Sequence, residues 1–283
     1  MILDAEGVRL LGYYSPQLQR QSKGLVLLLH GWLGDANANY IVYMGDYLYK
    51  RGYSIFRLNL RDHGNSHHLN PGVFRSDRID EVFNSTIQIA HLEPDRPLYI
   101  IGNSLGGNFA IRLVLMHSKK PISNLKHTIV FCPVIDPYNA TCKLDNGMWI
   151  YLRYFRQKWQ RDFMLKQKAY PDLYDFSPEI AAKTCYEMTD VFAKRNSHFT
   201  DAIAYFNAYT ITPEMMRVLI SPITIIPAED DPIIPISDFY NFSDLSLNLQ
   251  IYIQAFGGHV GFIDIFPFKL WACEAVYYIL NNQ

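Results

Sequence analysis

Short apolar runs alternate with longer stretches of helical periodicity along most of this chain. Leu25-Val26-Leu27-Leu28-Leu29, Tyr53-Ser54-Ile55-Phe56-Arg57-Leu58 and Leu98-Tyr99-Ile100-Ile101 each end at polar or glycine-rich residues, as strands buried on both faces do. Between them, Tyr40 to Arg51 and Ser76 to His91 have helical length. In the second, Ile79, Val82, Phe83, Ile87 and Ala90 recur at helical spacing. This alternation predicts a mostly parallel sheet flanked by helices, an α/β fold. The runs 127–131, 223–226 and 249–253 continue the strand series, and a helix is expected from about Lys269 to Leu280. Val8 to Tyr14, following the turn-like Glu6-Gly7, predicts an N-terminal hairpin at a sheet edge.

One segment interrupts the series. Residues 134–217 hold no convincing strand, are rich in aromatic side chains, and read as several helices inserted between two core strands. The expected organisation is therefore a core of 1–133 and 218–283 carrying a helical cap at 134–217. With 283 residues and 49% hydrophobic content the chain can bury one large core. The net charge of −1 gives no electrostatic reason to expect a nucleic-acid partner. No basic stretch followed by an apolar one opens the chain, and no apolar run approaches the ~18 residues of a spanning helix, so a soluble, cytoplasmic protein is expected. Cys132, Cys142, Cys185 and Cys273 form no C-x-x-C pair. They suggest neither a disulfide framework nor a zinc site, and are expected to be reduced and mostly buried.

Gly102-Asn103-Ser104-Leu105-Gly106 matches G-x-S-x-G directly after an apolar strand and directly before the helical run Asn108 to His117. A strand that turns sharply into a helix leaves no room for side chains two residues to either side of the serine, which is why glycines are needed there. The same turn sets Ser104 at the positive end of the helix, where backbone N–H groups face any developing negative charge. Upstream, His30-Gly31-Trp32-Leu33-Gly34 follows the Leu25 to Leu29 strand. Its glycines permit a loop that supplies a second oxyanion donor, and the backbone amides of Trp32 and Leu105 are the expected pair.

A serine nucleophile needs a base and a group to orient it. Of nine histidines, His259 lies in Gly257-Gly258-His259-Val260-Gly261-Phe262, after the last predicted strand, where flanking glycines let a loop carry the imidazole over the serine. For the acid, Asp230 and Asp231 compete at the exit of the strand 223–226, and Asp136 after the preceding strand is a weaker third.

Taken together these phrases resemble the YheT-like α/β-hydrolases, related to plant embryogenesis-associated proteins and animal abhydrolase-domain phospholipases. The likeness spans almost the whole chain: the 30–34 loop, Asn59-Leu60-Arg61-Asp62-His63-Gly64-Asn65-Ser66, the elbow, Asp230-Asp231-Pro232, the 257–262 phrase, and more softly Phe199 to Phe206. The resemblance implies an α/β-hydrolase fold with the chain order Ser, Asp, His. It favours Asp231 over Asp230, because Asp231-Pro232-Ile233-Ile234-Pro235 is similar to the phrase that follows the acid in many relatives. It also implies esterase or lipase-like activity. Group members often carry a longer N-terminal extension, which bears on membrane attachment, and many have Arg-Gly-Cys where this chain has Arg61-Asp62-His63.

The expected chemistry is thus hydrolysis of a carboxylic ester with an apolar, short-to-medium acyl chain, through an acyl-enzyme on Ser104, with no cofactor and no metal. Acyl transfer by the same triad, and a silent binding protein on the same fold, are the alternatives. Asp62, His63, His67 and His68 could be taken for metal ligands, but structural hydrogen bonds in an Asp-His-Gly phrase are the commoner use. Trp149 to Lys168 places Leu152, Phe155, Trp159 and Phe163 on one helical face with Arg153, Arg156, Lys158 and Arg161 elsewhere. Packing of that aromatic face on the core or pocket is expected ahead of contact with a membrane surface. The oligomeric state is left open.

Overall fold

The computed structural model describes residues 1–242, 245–264 and 269–282. The chain begins with the hairpin of β1 (Ile2–Ala5) and β2 (Val8–Ser15), closed by Glu6 and Gly7, both at positive φ. Two left-handed residues match the turn to the twist of the strands they join. The hairpin forms the edge of an eight-stranded sheet with β3 (Leu25–Leu29), β4 (Ser54–Leu58), β5 (Leu98–Asn103), β6 (Leu125–Phe131), β7 (Ile223–Ile226) and β8 (Leu249–Ile251). The order is β1-β2-β4-β3-β5-β6-β7-β8. Among the described pairings of this sheet, only β1/β2 and β2/β4 are antiparallel.

Every residue of β3, β5 and β7 is buried, which is why these runs are largely apolar rather than alternating. Each Leu, Ile or Val so buried contributes about 1.5–3 kcal/mol. Helices cover both faces: α1 (Asn39–Lys50), α2 (Ile79–Ala90), α3 (Leu105–His117) and, at the far end of the chain, α10 (Trp271–Asn281). The strand order runs from β3 outward to β4 on one side and to β5 on the other. Such a reversal leaves a crevice at the carboxyl ends of β3 and β5, the ordinary ligand site of an open α/β sheet.

The C-terminal helix expected from about Lys269 starts at Trp271, because Lys269–Leu270 pairs as a strand with Ile263–Asp264. Two other boundaries move for identifiable reasons. The helix expected from Ser76 starts at Ile79, because Ser76 N–H donates to the Tyr205 hydroxyl (2.7 Å) while the Ser76 and Asp77 carbonyls accept from the Arg112 guanidinium (2.6 and 3.0 Å). Those groups are then lost to a helical ladder. The strand expected at 249–253 is cut to Leu249–Ile251, although Tyr252 N–H still bonds the Ile225 carbonyl at 2.9 Å.

Between β6 and β7 the chain forms α4 (Pro137–Asn146), α5 (Trp149–Ala169), α6 (Ser177–Ala181), α7 (Cys185–Asn196), α8 (Ala202–Asn207) and α9 (Pro213–Met216), and no strand among the described residues. Phe163, Phe176, Met188 and Phe192 build a small second core there, joined by Val73 from the loop after β4. Part of the aromatic wealth of this segment therefore holds its own helices together. A short pair, β9 (Ile263–Asp264) with β10 (Lys269–Leu270), precedes α10. All four cysteines are free, with Cys132, Cys185 and Cys273 buried and Cys142 partly so.

Candidate active site

Ser104 stands between β5 and α3 at φ 53°, ψ −118°, a strained conformation for a non-glycine residue. The turn is possible because of its glycines. A Cβ on Gly102 would collide with the Gly106 backbone, and one on Gly106 with the His30 and Leu29 carbonyls. Burial of Ser104 (8% exposed) keeps its hydroxyl at the floor of a cavity rather than in bulk water.

His259 reaches the serine from the loop after β8. Its Nε2 lies 3.0 Å from Ser104 Oγ and its Nδ1 2.9 Å from Asp231 Oδ2. A carboxylate can only accept, so Nδ1 carries the proton and Nε2 is left to accept from the serine hydroxyl. Asp231 is 2% exposed, and its second oxygen accepts from the Ile233 (2.8 Å) and Ile234 (3.0 Å) amides. Three hydrogen bonds to one carboxylate fix its orientation.

The neighbouring acids do something else. Asp230 Oδ1 accepts from the Gly257 (2.9 Å) and Gly258 (2.7 Å) amides, and so ties down the loop that carries His259. Asp136 caps α4, accepting from the Tyr138 and Asn139 amides. Neither touches the imidazole. Within the 257–262 loop Gly258, Val260 and Phe262 all take positive φ, and a Cβ on Gly257 would strike the Phe262 ring.

The 30–34 loop passes directly over the serine: a Cβ added to Gly31 would sit 3.2 Å from Ser104 Cβ. Gly31 N–H donates to the Tyr40 hydroxyl (2.9 Å), and Gly34 N–H to the Gly31 carbonyl (3.0 Å). The Trp32 and Leu105 amides donate to no protein acceptor among the described residues. From α5, Phe155 stacks on the Trp32 ring at 5.6 Å, Trp159 meets it edge-on at 4.8 Å, and Lys158 Nζ donates to the Leu33 carbonyl (3.3 Å). Tyr40 and Lys158 have no motif of their own, which is why sequence reasoning passes them over.

Behind the loop lie two buried histidines. His30 Nε2 accepts from Leu60 N–H (3.2 Å), so its Nδ1–H donates to the Gly31 carbonyl (2.8 Å). His63 bonds the Arg61 carbonyl through Nδ1 (2.7 Å) and packs on the His30 ring at 4.9 Å. Burial, opposed in part by these backbone bonds, pushes His30 down to about 4 and His63 down to about 3. Both are neutral at pH 7.

The Asp62, His63, His67 and His68 phrase holds an internal cation. Lys166 of α5, 1% exposed, donates from Nζ to Asp62 Oδ1 (2.8 Å) and to the Asn70 (2.7 Å) and Gly72 (3.1 Å) carbonyls. Burial pushes the Asp62 carboxyl up and the Lys166 amine down, each opposed by the other's charge. A second buried pair, Arg61 with Glu81, fastens the same loop to α2.

Above the serine opens a cavity of about 120 Å³. Its walls come from the 30–34 loop, from α4 and α5 through Leu144, Phe155, Trp159 and Phe163, and from Ile233 and Ile234 beside Asp231. Phe192, Tyr205, Phe206 and Tyr209 also line it, whereas Trp149 and Tyr154 turn to solvent. The aromatic face of α5 thus points inward.

Comparison with known proteins agrees with this architecture. The chain is 24% identical over 265 residues to an abhydrolase domain-containing protein of Dictyostelium discoideum, covering 91% of this chain and 66% of that protein. To YheT of Escherichia coli (strain K12), named as a presumed esterase, it is 23% identical over 249 residues, covering 87% of this chain and 72% of that one. The solved structure of the Pyrococcus furiosus esterase Pf2001 superposes with a TM-score of 0.66 at 17% identity, over 100% of this chain and 89% of that one. The family model of the α/β-hydrolase fold matches residues 24–264, and the chain belongs to that family.

Proposed function

We propose that this protein is a serine hydrolase of carboxylic esters, with Ser104 as nucleophile, His259 as general base, Asp231 as the orienting acid, and residues 134–217 as a cap over the site. The observation that carries the reading is the unbroken hydrogen-bond chain from Ser104 through His259 to buried Asp231, opening on a cavity with apolar walls.

In this mechanism Ser104 Oγ attacks the ester carbonyl while His259 Nε2 takes its proton. Asp231 steadies the imidazolium. The carbonyl π electrons move to oxygen, and the Trp32 and Leu105 amides, free of acceptors among the described residues, donate to that oxyanion. Collapse of the tetrahedral species breaks the C–O bond, and the alcohol leaves with the proton from Nε2. Water then attacks acyl-Ser104 by the same route in reverse, releasing the acid and restoring the serine. The names of YheT and Pf2001 support esterase chemistry over other uses of the fold.

The acyl group is placed between Trp32 and the inner face of α5. Each methylene buried there contributes about 0.8 kcal/mol, so two give a gain of roughly tenfold in kcat/KM until the cavity is full. Rates for p-nitrophenyl esters from acetate to palmitate test this. They should peak at a short-to-medium chain and decline for long ones; a maximum at acetate with a steep fall refutes the apolar acyl pocket. Acyl transfer is distinguished in the same assay by adding a competing alcohol and analysing products.

A further inference from the structure

We propose that the outer face of α5 docks on an anionic lipid surface through its exposed apolar side chains and the basic residues set among them. At ~100° per residue the outward positions of this helix fall within roughly 160° of arc. They include Trp149 (69% exposed), Ile150, Tyr154, Met164 (54%) and Leu165. Arg153, Arg161 and Lys168 lie in the same arc and are exposed. These are different residues from Phe155, Trp159 and Phe163, which the cavity uses on the opposite face. Burial of the inner face therefore leaves the outer apolar set unexplained.

Charge decides the occupant. The helix carries six basic residues and one carboxylate in a chain whose net charge is −1, so positive charge is gathered here against an otherwise acidic molecule. The carboxylate, Asp162, turns inward to line the cavity 3.6 Å from His67 Nε2. Arg156 and Lys158 are spent on the Ala182 and Leu33 carbonyls, and Lys166 on Asp62. What remains outward is cationic and apolar with no anion. A second copy of the same face would be repelled, whereas a leaflet containing anionic lipid supplies both the charge and the interfacial depth that Trp and Tyr occupy. No helix among the described residues is long and apolar enough to cross a membrane, so the contact is peripheral. Docking in this orientation would bring the wall of the cavity to the lipid surface.

Flotation of the whole chain with vesicles tests the proposal. Phosphatidylcholine vesicles containing about a third phosphatidylserine are compared with pure phosphatidylcholine, at low and high salt. The wild type should bind the anionic vesicles, lose binding as salt rises, and bind neutral ones weakly. A basic side chain near an anionic leaflet contributes a factor of about five, so R153E/R161E should lower partitioning at least ~25-fold. Trp149→Ala should weaken it independently. Ser104→Ala should bind like the wild type, which separates docking from catalysis, and the α5 variants should keep wild-type rates on a soluble short-chain ester. Failure of the folded wild type to float with anionic vesicles overturns the proposal. So does equal binding by R153E/R161E, or a concentration-dependent dimer that the same variant abolishes.

Discussion

Replacing Asp231 by Asn should silence the enzyme far more thoroughly than the same change at Asp230, although the two are adjacent and isosteric. At 231 one carboxylate oxygen accepts from two backbone amides and the other from His259 Nδ1–H. An asparagine must choose. If its oxygen keeps the Ile233 and Ile234 amides, its NH₂ faces Nδ1, which must then accept, and the ring proton moves to Nε2. That tautomer cannot take the serine proton. If the amide flips, two backbone donors meet its NH₂ in a site 2% exposed, leaving buried donors unpaired at about 1–3 kcal/mol each. The wrong tautomer alone can cost about 10⁴ in turnover. At 230 a single oxygen accepts from the Gly257 and Gly258 amides, and an asparagine oxygen can still do so. The loss is the charge assistance of two hydrogen bonds, worth about 1 kcal/mol each, so the rate should fall no more than about 30-fold. Initial rates with p-nitrophenyl butyrate, on variants shown to be folded by circular dichroism, measure both. Equal losses, or the larger loss at Asp230, would refute this division of labour.

Two further outcomes follow from buried titratable groups. Lys166→Met strands Asp62 in the interior and should lower unfolding free energy by about 3–5 kcal/mol in urea titration, with D62N/K166M recovering much of it; a single-variant loss below about 1 kcal/mol would contradict the pairing. His30 and His63 are held neutral by burial, with His30 at about 4 and His63 at about 3. Unfolding restores both toward ~6.5, so below that pH the unfolded chain binds more protons and stability falls. The contribution is fully present above ~6.5, declines as pH drops toward 4 and then 3, and amounts to on the order of 3 kcal/mol for His30. Urea midpoints measured between pH 7 and 4 should fall accordingly, and less steeply in a folded His63→Phe variant; parallel curves would refute the assignment.

What could be read in the sequence depended on whether geometry leaves a local trace. The elbow does, because a turn that forbids Cβ atoms must write glycine at 102 and 106. The 257–262 loop does so too, through glycines flanking one histidine. Buried parallel strands write largely apolar runs, which is why β3 to β7 are visible. Asp230 and Asp231 could not be separated on spacing, since successive residues at a strand exit point in opposite directions and only three-dimensional placement says which meets the imidazole. Lys166 left a misleading trace: a lysine on an amphipathic helix has the spacing of a solvated residue, and its partner Asp62 is 104 positions away. The same holds for Tyr40, whose hydroxyl holds Gly31 without any motif. The start of α2 was obscured by Tyr205 and Arg112, distant side chains that claim the backbone at Ser76 and Asp77.

The proposed mechanism requires Ser104 to be an activated nucleophile. A fluorophosphonate probe reacts covalently with such a serine and not with an ordinary hydroxyl. Intact-mass measurement after incubation should show one adduct per chain, mapped by peptide analysis to Ser104, and none on a folded Ser104→Ala variant. A folded wild-type protein that stays unmodified, or a Ser104→Ala variant that is labelled equally, would contradict the account.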